Sequence, residues 1–247
     1  MTDIVETKQE GRVLRLWLNR PDQRNSLTTK LCRDLVQTLE RAQKDRSIGA
    51  ILLAGRGDCF CAGMEINEIA TGDVEAVSRV QETLFTRGTC LTKPLIGAVQ
   101  GVALASGMGL VANCHVAIAA ENATFGLTGI RFGLWPFVIF PAIVAAVGER
   151  RAVALAITGE VLDAAEALRI GLVQQIVPDG EVEQRAFEVA QTVANYSLNA
   201  MQSGLAFVHE VQGRTWKAAS GLGSYVREQY LKSEEFQSEL FNFLNRK

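Results

Sequence analysis

At 247 residues, 48% hydrophobic and 21% charged, the chain has the make-up of a globular protein long enough to bury a substantial core. A formal net charge of −2 with no concentrated basic run argues against a nucleic-acid partner. Five cysteines without CxxC spacing (Cys32, Cys59, Cys61, Cys90, Cys114) and two distant histidines (His115, His209) argue against a metal site and for reduced structural thiols.

The opening residues Met1 to Glu6 lack a basic segment followed by an apolar one, so no signal peptide is expected. Apolar stretches such as Leu134 to Val147 are broken by prolines and fall short of the roughly 20 residues of a membrane span. A soluble, cytoplasmic protein without a membrane partner is expected. Arg12 to Leu18 alternates polar and apolar residues and predicts a strand, and Asn19 to Asp22 is turn chemistry. Thr28 to Lys44 carries Leu31, Leu35, Leu39 and Ala42 at helical spacing. Gly49 to Ala54 is apolar on both faces, as a covered parallel strand demands. A loop with Gly55, Gly57 and Gly63 follows, then a helix from Val74 to Leu91 and a buried strand from Pro94 to Val99.

Gly101 to Gly109 predicts a turn running into a close-packed helix, and Val116 to Ala119 a further strand. This alternation implies a parallel or mixed sheet with right-handed crossovers. Further on, Asp163 caps a short helix that Gly171 ends, and Val173 to Val177 is a strand stopped by Pro178. Four helices are expected near 181–195, 198–211, 214–232 and 233–245, their large apolar residues forming a cap on this chain or on a neighbouring subunit. The tail Arg246-Lys247 is expected to be a solvated helix end.

Two glycine-rich turns carry the chemistry: Phe60-Cys61-Ala62-Gly63-Met64-Glu65-Ile66, and Gly101 to Gly109 around Ala105-Ser106-Gly107. Each follows a buried strand and leads toward a helix, where glycine lets the backbone turn sharply and point its amides outward. Two such amides converging on one point make an oxyanion hole. Taken singly, either turn is better explained as a close-packing device.

Asn19-Arg20-Pro21 with Asn25-Ser26-Leu27, Phe60-Cys61-Ala62-Gly63, Gly101-Val102-Ala103, Ala123-Thr124-Phe125-Gly126, and Ile157-Thr158-Gly159-Glu160 with Ala164 to Val173 resemble, in order and spacing, the crotonase (enoyl-CoA hydratase/isomerase) superfamily. The ending Leu231 to Leu244 is similar too, so the resemblance spans nearly the whole chain. It implies an α/β fold, a crotonase-like spiral of ββα units, with a helical C-terminal region that builds trimers or hexamers. The division would be 1–180 for the core with an acyl-CoA site and 181–247 for the helices.

The resemblance implies that Met64 and Ser106 donate the two oxyanion N–H groups, with Ser106 where the family usually carries glycine. It places Arg24, Ser26 and Leu27 along the CoA, and Met64, Glu65, Ile66 and Asn67 along the pantetheine and adenine, with Ser106-Gly107 at the thioester. Thr128 and Trp135, with Phe137, would line the acyl pocket. No cofactor is implied beyond the CoA moiety of the substrate. Hydratases of the family use two glutamates as acid and base, and the matching positions here are Gly109 and Gly129. Ordinary enoyl-CoA hydration is therefore disfavoured, and Gly129→Glu would be the substitution to reinstate an acid. Three functions remain open: an acyl-CoA enzyme relying on the oxyanion hole, a non-catalytic acyl-CoA-binding protein, and a serine hydrolase at Ser106 with His115 as base. The hydrolase spacing lacks G-x-S-x-G, since Leu104 and Met108 take the glycine positions. Glu65 and Glu68 follow the first turn, where helix-start carboxylates on a solvated face are the plain reading.

Overall fold

The computed structural model describes residues 3–245, apart from the side chains at 71 and 87–89, so the tail Arg246-Lys247 lies outside them. The chain opens with an antiparallel pair, β1 (Val5–Glu10) and β2 (Val13–Leu18), then α1 (Thr29–Lys44) and β3 (Ala50–Gly55). Thr28 caps α1 by accepting from Leu31 N–H at 3.1 Å. After the short α2 (Ile66–Thr71) and the longer α3 (Val74–Thr89), two strand pairs follow: β4 (Leu95–Val99) with β5 (Val102–Leu104), and β6 (Val116–Ala120) with β7 (Thr124–Gly126). Between these pairs lies α4 (Ser106–Ala112).

Each pair divides itself between two sheets. The larger has the order β1-β2-β3-β4-β6-β9 and is parallel beyond its first pair; the smaller is β5-β7-β8. This is the spiral of ββα units that the resemblance implies. The remaining elements are α5 (Phe140–Val147), α6 (Glu149–Thr158), β8 (Val161–Asp163), α7 (Ala164–Arg169), β9 (Gln175–Val177), α8 (Val182–Ala194), α9 (Leu198–Glu210), α10 (Trp216–Leu231) and α11 (Glu234–Leu244). Asp163 caps α7 through Glu166 N–H at 2.8 Å, and Ser197, Thr215 and Ser233 cap the last three helices in the same way.

The period-two alternation of the strands builds two cores. Leu16, Leu18, Ile51, Leu53, Leu95 and Val99 face one side, where Leu31, Leu35 and Leu39 of α1 cover them. Val13, Trp17, Ala50, Leu52, Ile96 and Ile118 face the other, which α8 covers with Val182, Ala186, Phe187, Ala190 and Ala194. The helical region expected from residue 181 thus begins with a helix that belongs to the core. Small residues let it come close: a Cβ on Gly49 would lie 2.4 Å from Ala194 O. Arg15 fastens it further, packing its guanidinium on Trp17 and Phe187 while pairing with Glu183. Six elements were not expected from the sequence: the polar edge strand β1, the three-residue strands β5, β7 and β8, and the helices α5 and α6. A three-residue strand is too short for alternation to register. Val102 to Leu104, expected as part of a turn, is the strand β5.

Candidate functional site

The two glycine turns meet. Cys61 N–H donates to Val102 O at 2.9 Å, and Cys61 O accepts from Leu104 N–H at 3.0 Å, which ties the first turn to β5. On the opposite side Ala62 N–H donates to Arg24 O at 3.0 Å, Leu27 N–H to Gly63 O at 2.7 Å and Glu65 N–H to Leu27 O at 3.0 Å. The last two bonds straddle Met64 as a parallel bridge, so Met64's own N–H is turned away from Leu27, toward the side on which β5 lies.

The second turn comes from that side. Ala105 leaves β5 with φ 47° and ψ −117°, and Ser106 is the first residue of α4. The first N–H groups of a helix have no acceptor within it, so Ser106 offers a free donor. Holding a non-glycine residue at that φ costs on the order of 1–2 kcal/mol, strain of a kind that persists at functional turns. Gly63 lies against this corner: a Cβ there would sit 3.1 Å from Ala105 Cβ and 3.7 Å from Ser106 N. Gly107 is packed on the back of the first turn, where a Cβ would come within 2.1 Å of Cys61 O.

Below the two turns opens a cavity of about 300 Å³. Met64, Ala105 and Ser106 form its roof, Leu127, Gly129 and the run Leu134 to Ile139 one wall, and Val74, Val77, Ser78 and Gln81 of α3 another. Trp135 lines it as expected, its ring tilted against Phe140 at 5.5 Å. Thr128 is not part of the wall; Leu127 and Gly129 on either side of it are. Among the described residues, no Asp, Glu, His, Lys or Arg side chain lines it. The α3 wall went unread in the sequence, although Val74, Val77, Ser78 and Gln81 follow helical spacing with two polar residues in the stripe.

The two glycines that match the glutamate positions differ in their surroundings. Around Gly109 the space of a side chain is filled: a Cβ would meet Ile139 Cγ2 at 2.6 Å and Phe85 Cε1 at 3.0 Å. Gly129 borders the cavity, but a Cβ there would lie 2.9 Å from the backbone oxygen of Leu134. Gly129→Glu alone therefore forces the backbone to shift and is not the clean reinstatement expected from the sequence.

Neither nearby carboxylate replaces them. Glu65 accepts from the buried Ser26 hydroxyl at 2.7 Å and faces Arg20 at 3.7 Å; the Ser26 bond above all holds its carboxyl below the usual range. Asn67 Nδ2 reaches the other Glu65 oxygen at 3.3 Å. Glu68 accepts from Thr29 N–H at 2.6 Å and from the Thr29 hydroxyl at 2.9 Å, tying α2 to the start of α1. Arg24 is exposed with φ 51° and Ile66 is exposed, so Arg24, Ile66 and Asn67 rim the first turn while Ser26 and Leu27 are buried beneath it. His115 serves the fold. Its Nδ1 accepts from Leu95 N–H at 2.9 Å, and burial pushes its pKa down to about 4. Among the described residues the Ser106 hydroxyl makes no hydrogen bond to a histidine or carboxylate, so a serine nucleophile has no base.

A family model described as enoyl-CoA hydratase/isomerase matches residues 8–247. The chain belongs to the enoyl-CoA hydratase/isomerase family. It is 36% identical over 205 residues to the 2,3-dehydroadipyl-CoA hydratase of Escherichia coli strain K12, covering 82% of this chain and 80% of that one. It is 33% identical over 214 residues to the enoyl-CoA hydratase EchA19 of Mycobacterium tuberculosis, covering 83% and 80%. Among solved structures, a putative enoyl-CoA hydratase/isomerase (crotonase) from Legionella pneumophila superposes with a TM-score of 0.91 at 29% identity, over 98% of this chain and 96% of that one. Human enoyl Coenzyme A hydratase domain-containing protein 3 shares the fold with a TM-score of 0.94 at 24% identity, over 99% and 98%.

Proposed function

We propose that the chain binds an acyl-CoA thioester, with the carbonyl oxygen between the N–H groups of Met64 and Ser106 and the acyl group in the cavity below. The observation that supports this reading is the packing of the Gly63-Met64 turn against Ala105-Ser106 over an apolar cavity, whose described lining residues include no carboxylate. Such donors stabilise negative charge developing on the oxygen of an enolate or a tetrahedral adduct, and losing one costs on the order of 3 kcal/mol. No acid or base is among the described residues that line the cavity, so turnover is confined to reactions in which substrate or water moves the proton. Hydration of an enoyl-CoA is not the reaction: each missing acid or base removes about 10²–10⁴-fold. The relative from Escherichia coli is named for 2,3-dehydroadipyl-CoA, and a free carboxylate would meet no cation among the described lining residues here.

The test is titration with an acyl-CoA panel, followed by mass analysis of the mixtures. Micromolar or tighter binding is expected, weakened in Ser106→Pro, with crotonyl-CoA hydrated at least about 10⁴-fold more slowly than by a two-glutamate enzyme. Rapid hydration, or absence of thioester binding, would overturn the reading. The proposal includes cytoplasmic residence and assembly as a trimer or a dimer of trimers, supported by the aromatic residues that α10 and α11 leave exposed, Trp216 at 92% and Phe243 at 70% among them.

A further inference from the structure

Gln81 is the anomaly of the cavity. It lies on the inward stripe of α3, only 5% exposed, and its carboxamide makes no hydrogen bond among the described residues. Its amide atoms are not among the fully buried orphans, which among the described residues are Arg15 Nε and Asn113 Oδ1, so they face the open cavity and offer a ligand there two donors and an acceptor. Its neighbours on the stripe, Val74 and Val77, are apolar, and across the cavity stand Trp135, Phe137 and Ile139. The next turn of α3 brings Phe85, whose ring closes the space beside Gly109. Gln81 thus presents an unmatched neutral polar group beside the closed first glutamate position.

We propose that Gln81 is the specificity-determining residue of the acyl pocket, selecting acyl groups that carry a hydroxyl or keto oxygen over plain alkyl chains of the same length. The inference rests on the acyl-CoA reading of the site and deepens it. A neutral oxygen suits the site because a carboxamide both donates and accepts, whereas a carboxylate would be buried without a cation among the described lining residues. A site whose buried polar group needs a partner rejects the analogue that lacks one.

The test compares hexanoyl-CoA with 3-hydroxyhexanoyl-CoA, 5-hydroxyhexanoyl-CoA and adipyl-CoA by calorimetric titration of the wild-type chain, Gln81→Leu and Gln81→Met. Two variants are used so that one folded sample suffices, checked by thermal unfolding. The wild type is expected to bind at least one hydroxyacyl-CoA about ten- to a hundred-fold more tightly than hexanoyl-CoA and adipyl-CoA, with the preference lost in the variants, which bind hexanoyl-CoA more tightly and the hydroxyacyl-CoA less tightly than the wild type does. Equal binding of all four by the wild type, or a preference that survives in a folded variant, would overturn the role of Gln81 and leave the thioester site intact. Failure of every thioester to bind would overturn the site itself and this inference with it.

Discussion

Gly109 sits one helical turn into α4 from Ser106, and the volume that a longer side chain would occupy belongs to Ile139 and Phe85. Gly109→Glu forces a carboxylate into that packed space. We expect it to destabilise the fold by about 1–3 kcal/mol from overpacking alone, read as a lower thermal midpoint without any gain in hydratase activity. His115 gives a second residue-level outcome. Its pKa falls from an ordinary 6.5 to about 4 on folding, so the unfolded chain takes up the proton first as pH drops. Stability is then full above pH 6.5 and is lost as pH falls toward 4, with a slope approaching about 1.4 kcal/mol per pH unit. His115→Asn keeps an acceptor for Leu95 N–H without titrating there; a smaller loss of thermal midpoint between pH 7 and pH 4.5 is expected. At this scale the sequence carried the motifs, and the turns at Met64 and Ser106 were legible from glycine spacing. The packing around Gly109 was not, because Ile139 and Phe85 reach it from segments 30 and 24 residues away along the chain.

Among the elements, α8 decides between two open readings. The last four helices were expected to cap either this chain or a neighbouring subunit, and α8 caps its own sheet through a stripe that relies on the small residues Ala186, Ala190 and Ala194, which stand out little from a solvated helix. Their task is visible only once β2, β3, β4 and β6 form the sheet on which they rest. Phe187→Ala should cost about 3 kcal/mol in a denaturant titration, because it removes the largest apolar group of α8 and one side of the Arg15 stack. A loss below about 1 kcal/mol would mean that α8 does not cover the sheet. The α3 wall teaches the converse lesson. Its helical period was read, but two polar residues inside an apolar stripe signify a cavity only when an opposing wall is present, and Leu134 to Ile139 supply it.

For the whole molecule, two sheets and a covering helix position the turns, while α10 and α11 carry exposed aromatic surface that a subunit contact would bury. Light scattering should return about three or six times the chain mass of 26.9 kDa, and a monomer at micromolar concentration would refute that assembly. The central claim concerns one bond in one place: a thioester carbonyl polarised by two backbone amides. Infrared difference spectroscopy of a bound acyl-CoA, labelled with carbon-13 at its carbonyl, measures that polarisation directly. The carbonyl band should move to lower frequency on binding, as two donors lengthen the C=O bond. A band at the frequency of free acyl-CoA, in a sample shown by titration to be saturated, would contradict the account.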